Sequence, residues 1–158
     1  MIATRTALAA AVVTTAVTLA LAACSRDAAP RQAPLPPDEA TTLLAQRIWL
    51  DQEPRGPSDK FNVLVFDGQR SGVVQERTIW KGSFEVFVYE ADRGRLNIKL
   101  PGSRKQLKTG FSIERAKRGD ADVKLTLDKA PAGPTVYYGY RFDGHDADAW
   151  VAEHFARD

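Results

Sequence analysis

Cys24 is the only cysteine among the 158 residues, and its position is the clearest chemical signal in the chain. It directly follows Leu21-Ala22-Ala23, at the end of the uncharged segment 7–23. A positively charged start (Arg5), an apolar middle and small residues before a cleavage point together form the pattern of an export signal. With a single thiol, the chain can form neither an internal disulfide nor a CxxC redox pair.

The order of two small residues and a cysteine resembles the lipobox of bacterial lipoproteins. The resemblance implies that cleavage falls before Cys24 and that a diacylglyceryl group is attached to its sulfur. The protein would then be exported and held to a membrane through acyl chains, of which two or more give a stable anchor. By the same resemblance Ser25 favours sorting to the outer membrane, facing the periplasm. A short transmembrane helix and an ordinary secretory signal remain alternatives.

Few other residues indicate chemistry. His145, Asp146, Asp148 and His154 come close together in the sequence and raise the question of a metal site. Helix capping accounts for the aspartates, and the order of a calcium-binding loop is missing. No nucleophile elbow, zinc-binding His pair or phosphate loop occurs. We therefore expect no catalytic residues, no metal, no cofactor and no enzymatic activity.

The composition divides the chain into three segments. Residues 1–23 are the predicted lipoprotein signal peptide, 24–39 a lipid-anchored tether, and 40–158 a single β domain. The tether is predicted from its prolines, which favour an extended and semi-rigid chain: Pro30, Pro34, Pro36 and Pro37. Without disulfides the domain must be stabilised by a hydrophobic core, which a chain of this length can bury.

Alternation of apolar and polar residues predicts about eight strands in the β domain. Short connections containing glycine favour antiparallel hairpins. The expected fold class is therefore all-β, an antiparallel meander that closes into a barrel, with a β-sandwich as the alternative. The strands fall at Ile48–Asp51, Phe61–Phe66, Val73–Trp80, Phe84–Val88, Leu96–Leu100, Phe111–Ile113, Val123–Leu127 and Val136–Phe142.

Two helices are predicted at the ends of this series. Asp38 and Glu39 suit the first turn of a short N-terminal helix, because acidic side chains are favourable there. After the last strand, helical spacing places five residues on one face of an amphipathic helix, with Asp146 as its N-cap. These residues are Ala147, Trp150, Val151, His154 and Phe155.

The early tryptophan Trp49, the hairpin-linked strands and the final helix resemble a lipocalin-type barrel. The family's Gly-x-Trp is replaced here by Arg47-Ile48-Trp49. The resemblance implies a binding module whose mouth takes a small apolar or amphiphilic ligand. We expect Trp49, Trp80, Tyr138 and Tyr140 to line that pocket. An eight-stranded barrel is just wide enough to hold one small ligand or to be filled by side chains, so a filled core is the alternative.

Charge is distributed unevenly. Residues 93–118 hold nine basic side chains against Glu114 alone, whereas 141–158 is acidic. Basic residues near a membrane surface attract anionic lipids, which makes Arg104, Lys105 and Lys108 candidate contacts for an anionic envelope component. Solvated hairpin faces are the alternative interpretation. The exported location excludes nucleic acid as a partner. The second functional hypothesis is accordingly a non-enzymatic envelope structural or interaction protein that uses this basic outer surface.

Overall fold

A computed structural model describes residues 32–142 and 146–155. Cys24 and His145 lie outside these described residues. In chain order the elements are α1 (Pro37–Leu44), β1 (Arg47–Leu50), β2 (Phe61–Phe66), β3 (Ser71–Arg77), β4 (Gly82–Asp92), β5 (Arg95–Leu100), β6 (Lys105–Arg118), β7 (Ala121–Leu127), β8 (Val136–Arg141) and α2 (Ala147–Phe155).

The eight strands form one closed barrel in which each strand pairs with the next in the chain. All the pairings are antiparallel, and the barrel closes between β1 and β8, where Trp49 lies opposite Gly139. The predicted meander barrel is therefore confirmed, and the sandwich alternative is wrong. Closure leaves the barrel without the unpaired edges that a sandwich would expose.

The inside of the barrel is filled by side chains. One face of each strand contributes to a continuous cluster, in keeping with the period of two along a strand. Ala40, Leu43 and Leu44 of α1 join the same cluster, which places α1 at the end of the barrel where β1 begins. The largest interior side chains are fully or almost fully buried: Trp49, Leu64, Phe66, Phe87, Leu96, Ile98 and Tyr137.

A second apolar cluster lies on the outer wall of the barrel, under α2. Ile48 and Leu50 of β1 point to this side, and Val151 of α2 is completely buried against it. The predicted helical stripe is confirmed, since its other members pack partly buried in or around the cluster. The carboxylate of Asp146 accepts the amide N–H of Asp148 at 2.9 Å, as expected for an N-cap.

The N-terminal boundary differs from the prediction. Pro34 forms a β-bridge with Glu114, and the Leu35 amide donates to the Ile113 carbonyl at 2.7 Å. This short segment reaches β6 beyond Gly110, the last residue that β5 pairs. Pro37 then begins α1, where its fixed φ and missing N–H are tolerated. The predicted tether 24–39 is therefore too long, because its last residues belong to the barrel domain.

Candidate functional site

The outer face of β4 carries an exposed apolar strip. Phe84 is 69% exposed, Val86 47% and Val88 44%, whereas the intervening Phe87 is buried in the barrel. Trp80, in the turn before β4, is 64% exposed. We call these four exposed residues (Trp80, Phe84, Val86, Val88) the β4 strip. Apolar side chains grouped in this way on the outside of a domain mark surfaces that contact a partner or a membrane.

A buried arginine holds the turn that presents Trp80. The Arg77 guanidinium donates to the carbonyl oxygens of Thr78 at 3.0 Å and Ile79 at 2.9 Å, and it forms an ion pair with Asp148 of α2. Ile79 is buried in the cluster under α2. Because Ile79 points into the protein, its neighbour Trp80 is directed outward at the tip of the hairpin.

Basic residues lie along one side of the β4 strip. Lys99 of β5 is directly opposite Val88 in the register of the sheet. The turn between β5 and β6 leans toward β4, since the Ser103 amide donates to the Glu85 carboxylate at 2.7 Å. Arg104 belongs to this turn, and Lys105 begins β6 opposite Leu100 at the rim of the barrel.

We call Lys99, Arg104, Lys105 and Lys108 the basic flank. All four side chains are exposed, and none forms an ion pair within residues 32–142 and 146–155. Two other basic residues of the same region are engaged within the protein. Arg115 pairs with Glu39 at 2.7 Å, and the Arg118 guanidinium lies 4.3 Å from the centre of the Tyr138 ring. The basic flank therefore keeps its positive charge available for an external partner.

The other side of the β4 strip borders a groove of about 520 Å³ between the β3–β4 wall and the start of α2. Three carboxylates are among the side chains that line it. Burial alone would raise the pKa of Asp67, but hydrogen bonds from the Ser71 hydroxyl and from the Ser71 and Gln69 amides lower it overall. The groove residues that matter here are Val73, Phe84, Val86, Asp67, Asp146 and Asp148. The strip thus separates a basic region from an acidic one.

The four residues predicted to line a barrel mouth do not meet. Trp49 is buried inside the barrel, where its indole N–H donates to the Leu44 carbonyl at 3.0 Å. Tyr140 lies on the outer wall under α2, Tyr138 lies on the same outer face beside Arg118, and Trp80 is exposed at its turn. The prediction that they form one pocket is therefore wrong.

The physical reason is the direction of β8. Its side chains alternate between the two faces of the wall, and both faces contain tyrosine. Tyr137, which was not selected from the sequence, points inward, whereas Tyr138 and Tyr140 point outward. Burial is the main cause that raises the pKa of both Tyr137 and Tyr140, and a hydrogen bond to Glu53 adds to the shift at Tyr140. These hydroxyls remain neutral structural groups.

Three of the four residues that raised the question of a metal site lie in the described part of the chain: Asp146, Asp148 and His154. Asp146 caps α2, and the imidazole of His154 stacks on Trp150 and lies 3.5 Å from the Asp120 carboxylate. Among residues 32–142 and 146–155, no three His, Cys, Asp or Glu side chains gather as metal ligands would. In the same part of the chain, no helix has the length and apolar character needed to cross a membrane.

Comparison of the chain with protein-family models, with curated proteins and with solved structures gives no match.

Proposed function

We propose that this protein is a non-enzymatic, lipid-anchored envelope protein that binds an anionic membrane surface through the outer wall of its barrel. The observation that carries the proposal is the basic flank, whose four exposed cations form no ion pair within residues 32–142 and 146–155 and of which Lys99 lies directly opposite Val88 of the exposed apolar strip. The filled interior gives no support to the alternative of a small ligand in the barrel mouth.

Electrostatic attraction supplies the binding energy in this proposal. A lysine or arginine close to an anionic membrane contributes about 1 kcal/mol. Reversal of three such charges is therefore expected to weaken binding by roughly 3 kcal/mol or more, which is more than about a hundredfold in affinity. Screening by salt should weaken the binding further.

The tether keeps the barrel close to the membrane. Residues 24–33 separate the proposed anchor at Cys24 from the segment that pairs with β6 at Glu114. Fully extended, they span at most about 35 Å. A barrel held at that distance meets the membrane at a high effective concentration, so weak surface contacts suffice.

The proposal is tested by cosedimentation of a chain beginning at Gln32 with vesicles of phosphatidylglycerol and phosphatidylethanolamine. We expect binding by the native sequence and loss of binding by the triple variant Arg104→Glu, Lys105→Glu, Lys108→Glu. The matched control reverses three exposed charges elsewhere on the barrel: Arg55→Glu, Lys60→Glu and Lys117→Glu. Equal binding by all three proteins, or equal loss in both variants, would contradict the role of the basic flank.

The anchor is tested separately. Mass spectrometry of the mature protein should find Cys24 at the N-terminus with acyl chains attached. A Cys24→Ser variant should lose its association with the membrane fraction. An unmodified Cys24, or a serine variant that fractionates like the native protein, would remove the anchor from the proposal.

A further inference from the structure

We propose that the β4 strip inserts into the interfacial region of an anionic lipid bilayer, with Trp80 and Phe84 penetrating deepest. This inference rests on the proposed function and specifies the partner and the mode of contact. A basic flank alone would hold the barrel above the phospholipid headgroups. The exposed strip beside it provides side chains that can enter the bilayer.

The strip is exposed even though the barrel has a helix that covers apolar wall elsewhere. α2 shields the outer face of β1, β2 and β8, where Ile48, Phe61 and Tyr140 are buried. In β4 the corresponding outward residues stay uncovered, and Phe84 is the most exposed of them. Residues on this face alternate with Phe87 and Tyr89, which are buried inside. The outward apolar face is therefore not required for packing of the barrel interior.

The side chains and their neighbours match a bilayer interface. The indole ring of Trp80 has an apolar body and one polar N–H, the combination that favours the boundary between headgroups and acyl chains. Lys81 adjoins Trp80 in the turn, and Lys99 lies across from Val88. Apolar side chains thus stand between cations that can reach lipid phosphates.

The carboxylates of the groove beside the strip should repel anionic lipids only weakly. Asp148, which lies near Phe84 in the groove, forms an ion pair with the buried Arg77. Asp146 accepts hydrogen bonds from the first turn of α2. Both carboxylates are therefore engaged within the protein, whereas no ion pair within the described chain engages the basic flank.

A second copy of the chain is a weaker candidate for this surface because the strip is small. An aromatic side chain offers roughly 150–250 Å², so two partly exposed rings with two valines present roughly 300–450 Å². A stable protein–protein interface buries about 800 Å² on each partner. Insertion into a bilayer has no such minimum area, since the anchor and the basic flank contribute to the same association.

The experiment uses the chain from Cys24 to Asp158, which contains every described element, coupled through its only thiol to a maleimide phospholipid. The vesicles contain phosphatidylglycerol and carry bromine on their acyl chains. Bromine quenches indoles that enter the bilayer. Trp49 is buried in the barrel, and Trp150 is packed against the outer wall, so Trp80 is the tryptophan placed to respond.

We expect brominated vesicles to reduce the emission of the native protein compared with unbrominated ones, and the Trp80→Phe variant to lose that difference. Equal emission in the two kinds of vesicle would overturn the inference, and concentration-dependent dimers with an unquenched Trp80 would assign the strip to a second copy. Phe84→Glu, at a side chain that is 69% exposed and therefore tolerant of change, should weaken binding of the uncoupled chain about tenfold or more.

Chemical coupling separates this result from the proposed function. The coupled protein stays on the vesicle whether or not the basic flank attracts it, so loss of quenching reports insertion alone. Charge reversal of the basic flank in the uncoupled chain reports attraction alone. Quenching that persists when attraction is absent would support insertion and contradict the electrostatic proposal.

Discussion

Gly139 provides the sharpest test of the filled barrel. It lies in β8 between Trp49 of β1 and Val123 of β7, opposite both in the register of the sheet. A Cβ atom at position 139 would come within 2.7 Å of both the Trp49 ring and a Val123 methyl group. The missing side chain therefore gives the indole room to lie across the inner wall.

The cost of Gly139→Ala follows from how little these neighbours can move. Trp49 and Val123 are both completely buried, and a contact below 3.0 Å requires one of them to shift. An extra methyl group in a well-packed core typically costs 1–3 kcal/mol. For a domain of this size, that corresponds to a fall in Tm of roughly 3–15 °C.

The assay is urea unfolding followed by tryptophan fluorescence and circular dichroism, on a chain beginning at Gln32. Gly56→Ala serves as the matched control because nothing lies within 4 Å of the added Cβ; its free energy of unfolding should change by less than about 0.5 kcal/mol. In a double-mutant cycle, Trp49→Phe should reduce the cost of Gly139→Ala, since the smaller ring leaves space. If the Gly139→Ala variant had the same free energy of unfolding and the same m-value as the native protein, the claim that side chains fill the barrel around Gly139 would be refuted.

Two further predictions concern buried polar groups. Because burial raises the pKa of Tyr137 and Tyr140 in the folded protein, the unfolded chain releases these protons first as pH rises above about 10. Their contribution to stability is complete below that pH, and the free energy of unfolding should then fall by about 1.4 kcal/mol per pH unit for each tyrosine. Tyr137→Phe should reduce this alkaline slope, and equal slopes in urea titrations at several pH values would count against it. Arg77→Met should destabilise the fold by about 1–3 kcal/mol for each carbonyl left unpaired, at Thr78 and Ile79. Arg55→Met, at an exposed site, is its control in the same urea titration.

Strands and helices could be predicted from the sequence where apolar residues recur with a single clear period, two for a strand or 3.6 for a helix. The alternation in Val123–Leu127 and Leu96–Leu100 predicted strands that the structure contains, and the stripe around Val151 predicted α2. The first half of β6 was missed. There Leu107 and Thr109 are the inward residues, and two of the outward residues are charged or polar, so the apolar signal is weak.

Which face of a strand points inward was harder to predict. Period two divides β4 into one face with Phe84 and another with Phe87, and both faces are apolar. Which of the two faces packs inside the barrel depends on residues far away in the chain. The most important of these belong to α2, which covers the outer wall of β8 but not that of β4. The candidate pocket failed for this reason, since the sequence does not state where the final helix packs.

The order of strands around the ring gives the proposed orientation its strongest geometric argument. In a closed ring of eight strands, β5 stands across from β1. The wall under α2 is formed mainly by β8, β1 and β2, and the first turn of α2 also reaches β3 and the near edge of the β4 strip. Lys99, Lys108 and the bridge at Glu114 fall on β5 and β6. In the proposed orientation the first turn of α2 lies beside the strip at Asp148, and the helix runs from there toward Phe61, against which Phe155 packs. Labels placed at the C-terminal end of α2 should therefore be quenched less by the brominated lipids than Trp80.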